Sequence, residues 1–173
     1  PESGQVECSG ITVNPDEKTV WMCSWVGGES GRYLYEYDLE SGKYLRKVNL
    51  QAPPYWVQGV FYYDGSYYMS ADDGDAEKYE PDNIWRADIK KGDTYVPVVL
   101  ERTLDDVKMQ GEIEGLCVDP KTDNFIVLYN RGSRIMLGMV RGFYPGYDKE
   151  ITEVFEYKKK KIGDSLVENN YWE

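Results

Sequence analysis

Apolar and polar residues alternate with a period of two along most of this chain. Gly, Pro, Asn and Asp interrupt the alternation at short intervals. That pattern belongs to half-buried strands joined by tight turns. In the first stretch, Val6 to Val13 reads as a strand, with Ile11 and Val13 two apart. Asn14-Pro15-Asp16-Glu17-Lys18 is turn chemistry. Val20 to Val26 is a second strand, and Gly27-Gly28-Glu29-Ser30-Gly31 a loop. Tyr33 to Leu39 sets Tyr33, Tyr35, Tyr37 and Leu39 against Leu34, Glu36 and Asp38. After the turn Glu40-Ser41-Gly42-Lys43, Tyr44 to Leu50 gives a fourth strand.

The plan then recurs. Trp56 to Tyr63 and Tyr67 to Ala71 flank Asp64-Gly65, a strong hairpin signal. An acidic loop runs from Asp72 to Asp82, and Ile84 to Ile89 and Tyr95 to Leu100 flank Lys90-Lys91-Gly92-Asp93. Asp105 to Gln110 is a polar connection. The third stretch opens with Gly111 to Pro120 and continues with Phe125 to Gly132, joined by the turn Asp119 to Asn124. Ser133 to Met139 is expected as its third strand and Ile151 to Tyr157 as its last, around the aromatic loop Gly142 to Tyr147.

Placed in register, the three stretches align Gly10, Gly59 and Gly115, each followed by an apolar residue: Ile11, Val60 and Leu116. Four-stranded antiparallel meanders repeating every 40 to 50 residues or so are the mark of β-propeller blades. The expected fold is therefore all-β, with about three blades spanning residues 5–50, 55–104 and 110–157 of one domain. Residues 158–173 form a basic, then polar, C-terminal tail opening with Lys158 to Lys161. Since propellers close with about four to eight blades, the chain is expected to be part of a larger propeller or to be completed by another chain. A complete β-sandwich or barrel is the other all-β reading.

Composition narrows the chemistry. The chain has 173 residues and a formal charge of −11, which argues against a general nucleic-acid binder because phosphate needs a positive surface. There is no His, so His-based zinc sites and Ser-His-Asp triads cannot be built within this chain. No apolar run is long enough for a membrane-spanning helix. The opening Pro1-Glu2-Ser3-Gly4 has neither the basic start nor the apolar run of a signal peptide, and a processed or excised piece is expected. Cys8, Cys23 and Cys117 are odd in number and fall within apolar runs. Buried free thiols are expected, which leans toward a reducing compartment and leaves secretion open.

The residue before each aligned Gly is polar: Ser9, Gln58 or Glu114. The neighbouring strand ends in Trp25, in Asp72 with Asp73, or in Asn130 with Arg131. In a propeller these positions surround one mouth of the central channel. Glu114, Asn130 and Asp72 offer oxygen ligands of the kind Ca²⁺ takes, with Asp73, Asp75 and Glu77 of the acidic loop as a second set. Two blander readings compete: Glu114 paired with Arg131, and a solvated acidic loop. Gln58, Arg131 and Trp25 are the ligand-binding candidates at the same mouth. Tyr55, Trp56, Tyr62, Tyr63, Tyr67 and Tyr68 form an aromatic set expected to pack mainly between blades, with a carbohydrate or peptide platform as the alternative.

The stretch Glu114-Gly115-Leu116-Cys117-Val118-Asp119-Pro120-Lys121-Thr122, with Ile126 to Gly132 after it, resembles the blade opening of SdiA-regulated and phytase-like six-bladed propellers. It is also similar to the Glu-Gly strand of gluconolactonase-like propellers. The latter resemblance implies a divalent cation held by a Glu, an Asn and an Asp, which map here onto Glu114, Asn130 and Asp72. The absence of His and the small number of blades depart from that family. The expected function is a non-catalytic binding or scaffolding module for a protein or small-molecule ligand, with a structural divalent cation at the channel mouth as an option. Its partner is a second copy or the other part of a ring. The alternative is a metal-dependent hydrolase of the lactonase or phosphoesterase type using channel carboxylates.

Overall fold

A computed structural model describes residues 2–26, 30–75, 78, 80–105, 111–130 and 154–159. The first meander comprises β1 (Gly10–Asn14), β2 (Thr19–Cys23), β3 (Tyr33–Asp38) and β4 (Tyr44–Gln51). The second comprises β5 (Val57–Tyr63), β6 (Ser66–Ala71), β7 (Asn83–Ala87) and β8 (Tyr95–Thr103). In both, each strand pairs antiparallel with the next. The turns carry the backbone that their residues favour. Asp64 and Gly65 both have positive φ, 48° and 83°, as the tightest two-residue hairpin requires.

The outermost strands of the two meanders, β4 and β8, run parallel and pair over Asn49↔Tyr95, Leu50↔Val96 and Gln51↔Pro97. The resulting eight-stranded sheet bends back so that its edge strands β1 and β5 come together. Their approach is set by two glycines: a Cβ on Gly10 would lie 2.8 Å from Gly59 Cα and 2.8 Å from Val60 N. No side chain fits there, which gives the repeated Gly its physical role.

The third meander contributes β9 (Glu112–Val118), β10 (Phe125–Asn130) and β11 (Phe155–Tyr157), in the order β11-β10-β9. The strand expected last in this stretch thus lies directly beside β10. The strand expected over Ser133 to Met139 falls outside the described residues. Described strand starts otherwise differ by only a few residues from the periodicity, the largest changes being β1, which starts at Gly10 rather than Val6, and β11, which starts at Phe155 rather than Ile151.

The second blade is the middle layer, and its alternation serves both neighbours. Tyr67 and Met69 point to the first blade and join Trp21, Leu34, Val48 and Val60 in one buried cluster. Tyr68 and Ile84 point the other way and join Ile113, Phe125, Val127 and Tyr157. Polar groups follow the same rule. Tyr62 donates its hydroxyl to Asp16 in the first blade's turn (2.6 Å), and Tyr63 donates to Asp123 in the third blade's turn (2.6 Å). Successive residues of one strand therefore bind opposite neighbours, as the two-residue period demands. Cys23 is buried, Cys117 is intermediate and all three thiols are free. Cys8 is exposed, contrary to expectation, because the chain reaches the sheet only at Gly10.

Candidate functional site

The starts of β1, β5 and β9 and the ends of β2, β6 and β10 share one end of the blades. Two different surfaces form there. One is aromatic and lies between the first and second blades. The other is acidic and lies between the second and third.

The aromatic surface is built from the residues after β2 and those between β4 and β5. Glu7 sets the first part: its carboxylate accepts the N–H of Trp25 (2.7 Å) and its carbonyl accepts the Ser24 hydroxyl (2.8 Å). In the β4–β5 connection, Ala52 and Trp56 both have left-handed backbone, φ 54° and 53°. A bulky side chain at such a φ is rare and costs about 1–3 kcal/mol, so such residues gather at functional positions. Here the bend sets the Trp56 ring against Trp25, with centroids 4.8 Å apart and planes inclined by 38°. Trp25, Trp56 and Tyr55 are 39, 43 and 74 % exposed. They line a cavity of about 660 Å³ together with Ser24, Arg32, Asn49, Gln51 and Pro54. That size suits a small organic ligand.

The aromatic set thus divides. Tyr67 and Tyr68 are core residues, whereas Tyr55 and Trp56 face solvent. No sequence signal separated them, because the left-handed turn at Trp56 has no Gly or Asn to announce it.

The acidic surface gathers residues far apart in sequence. Asn130 donates to the Glu114 carboxylate, and burial raises the Glu114 pKa despite that bond. Glu114 sits at a bulge, where Glu114 and Gly115 together oppose Leu128. Gln58 occupies the matching bulge between Val57 and Gly59 and is half-buried. Bulges re-aim side chains at sheet ends. Asp72 lies near Glu114: burial and the charges of Glu112, Glu114 and Asp73 push its pKa up to about 7. Asp82 exchanges a hydrogen bond with Asp72. Burial and the Asp72 charge raise Asp82 to about 8, even though it accepts the N–H of Gly74 (3.1 Å).

Of the residues expected to ligate, Glu114, Asn130 and Asp72 therefore share one end of the sheet. Asp73 is turned elsewhere, accepting from Trp85 Nε1 (2.8 Å) and from the Asn83 backbone and side chain, which anchors the start of β7. Asp75 pairs with Lys78 (2.7 Å). Glu77 and Arg131 lie outside the described residues. Among the described residues, no three carboxylate or thiol groups converge as a ready-made metal site. Asp82 and Glu112 were not singled out in sequence. Asp82 comes to Asp72 across the β6–β7 pairing, where Asn83 stands opposite Ala71, and Glu112 comes to it through the packing of β9 beside β6.

The arrangement defines the class: an all-β, propeller-type module, with successive blades packed face to face around β1, β5 and β9. No family model matches the chain, and no curated protein matches it in sequence. Among solved structures, it is similar to the hydrazine synthase of Kuenenia stuttgartiensis, with a TM-score of 0.45, 10 % identity, and coverage of 77 % of this chain and 31 % of that one. It is also similar to the β-propeller domain of Cps50 (Swd1) from Myceliophteria thermophila, with a TM-score of 0.41, 15 % identity, and coverage of 72 % and 36 %. The chain spans about a third of the length of each. Among the described residues, no helix is long and apolar enough to cross a membrane.

Proposed function

We propose that this propeller-type chain is a binding module that takes a small organic ligand in the aromatic cavity between its first two blades. One observation carries the reading: the strained backbone of Trp56 holds an indole in partial solvent exposure against Trp25, at the wall of an open cavity. Exposing two indoles and bending the chain both cost free energy, and bound ligand recovers the apolar part of that cost. A thermal-shift screen of small polar molecules tests it. At least one compound should raise the melting temperature of the wild-type chain and leave the Trp56→Ala variant unmoved, because only ligand bound to the native state stabilises it. A library in which no compound separates the two proteins would sink the proposal.

A divalent cation at Glu114, Asn130 and Asp72 is a second reading. It is supported by the mutual repulsion among Asp72, Glu112 and Glu114, which a cation would relieve. The short motif from Glu114 to Thr122 supports a kinship with SdiA-regulated or phytase-like propellers. Calorimetric Ca²⁺ titration at pH 8.5 or so, above the Asp72 and Asp82 values, decides the cation: heat should appear for wild type and vanish in Glu114→Gln.

A further inference from the structure

We infer that the ligand of the aromatic cavity is a neutral saccharide, stacked on the exposed indole surface of the Trp25–Trp56 pair. This rests on the cavity being the binding site. The geometry of the ring pair selects among the chemistries that aromatic walls can take. To clasp a planar or cationic group between two rings, their faces must stand about 7 Å apart, twice a carbon contact distance of about 3.5 Å. The Trp25 and Trp56 centroids are 4.8 Å apart, so the rings touch and leave no slot. A cage for a quaternary ammonium is therefore closed. A proline-rich peptide seats its rings in grooves between aromatic ridges, and two rings in contact fill that groove.

A platform remains. Its natural complement is a flat, rigid body with an apolar face and a polar rim, and a pyranose in its chair form has both. The C–H face can lie on the indoles while the hydroxyls at the rim need hydrogen-bond partners, since burying them unpaired is costly. The cavity supplies those partners at its edge: the Asn49 and Gln51 amides and the Arg32 guanidinium. Arg32 makes no ion pair among the described residues. Among the described residues it is also the one charged side chain on the wall, so the described wall offers no carboxylate to a cation. A formal charge of −11 disfavours phosphorylated ligands, which leaves a polyhydroxylated and uncharged one.

The test is an array of short neutral oligosaccharides built from glucose, mannose, galactose and xylose, followed by titration of the best binder with tryptophan fluorescence as readout. At least one should bind and shift the emission. Trp25→Ala and Trp56→Ala should each weaken binding about tenfold or more, the loss expected when a central aromatic contact is removed. Trp25→Tyr should recover part of it, and far-UV dichroism should stay native in all three. Arg32→Ala should cost a few-fold. Polyproline and choline are run in parallel. Binding of either one, lost in Trp56→Ala, would overturn the saccharide and leave the cavity as the site. Saccharide binding that survives both alanine variants would overturn the placement. Silence from every probe would overturn both inferences.

Discussion

At the junction of the first and second blades, Trp21 lies fully buried against Tyr67, with ring centroids 4.7 Å apart, and Asn14 donates to the Tyr67 hydroxyl at 2.8 Å. At the junction of the second and third, Tyr68 meets Phe125 edge-on at 5.3 Å, and Ser70 donates to the Glu114 carbonyl at 2.8 Å. The cores are alike, and the ends are not. The first junction ends in exposed indoles and the second in carboxylates that repel one another. The same strand plan therefore tolerates opposite end chemistries, because the residues at strand ends contribute little to the layer between the sheets. Fold and site are set by different positions of one repeat.

The largest expected effect breaks the first junction. Trp21→Ala removes the largest fully buried side chain of that layer and should cost about 3–5 kcal/mol in chemical denaturation. An unfolding midpoint shared by near- and far-UV signals would show that the two junctions melt together, whereas separate midpoints would show the second surviving the first.

The glycines sharpen the contrast next. Gly10→Ala places a methyl 2.8 Å from backbone atoms of β5, which cannot rotate away, and should cost about 1–3 kcal/mol. Gly115→Ala meets no described atom within 4 Å and should change stability by less than about 0.5 kcal/mol. Equal costs would refute the view that crowding by the next blade, rather than the repeat itself, requires the glycine.

A further effect appears only with pH. Asp72 and Asp82 hold their protons to about 7 and about 8, against an ordinary 3.8. The folded chain thus binds more protons than the unfolded chain over that interval. Their contribution to stability is full below the ordinary value and is lost as pH rises through the folded ones. Asp82→Asn keeps an acceptor for Gly74 and removes the charge. It should stabilise the protein at pH 8.5 or so by at least about 1.4 kcal/mol, the worth of one pKa unit, and flatten the decline between pH 5 and 8 or so. Thermal melts across that range check it. Among the described residues the aromatic junction has no such pair, and Trp25→Ala should leave the pH profile unchanged.

Much of the fold was legible because its signals are local. Asp64-Gly65 announced a hairpin, Asp119 to Asn124 another, and alternation placed β3 to β7 within a residue or two. The aligned glycines were legible too, and at Gly10 and Gly59 the structure supplies their cause. The site was less so. Glu114, Asn130 and Asp72 were brought together by assuming equivalent strand ends, but Asp82 reaches them through a loop whose course depends on Asp73 binding Trp85 and Asn83. Trp56 read as one more interblade aromatic. Its exposure comes from a left-handed backbone that no residue type at that position foretells.

The tyrosine pair of β5 bears on how the chain avoids misfolding. Slipping a strand by one residue exchanges its two faces. In β5 a slip one way would put Phe61 in the place of Tyr62 and leave Asp16 without its hydroxyl, and a slip the other way would put Asp64 in the place of Tyr63 and leave Asp123 without its own. The bulge at Gln58 already spends one residue of slack in that strand. The middle blade is therefore proofread from both sides, a slip in one direction being penalised at the first blade and a slip in the other at the third.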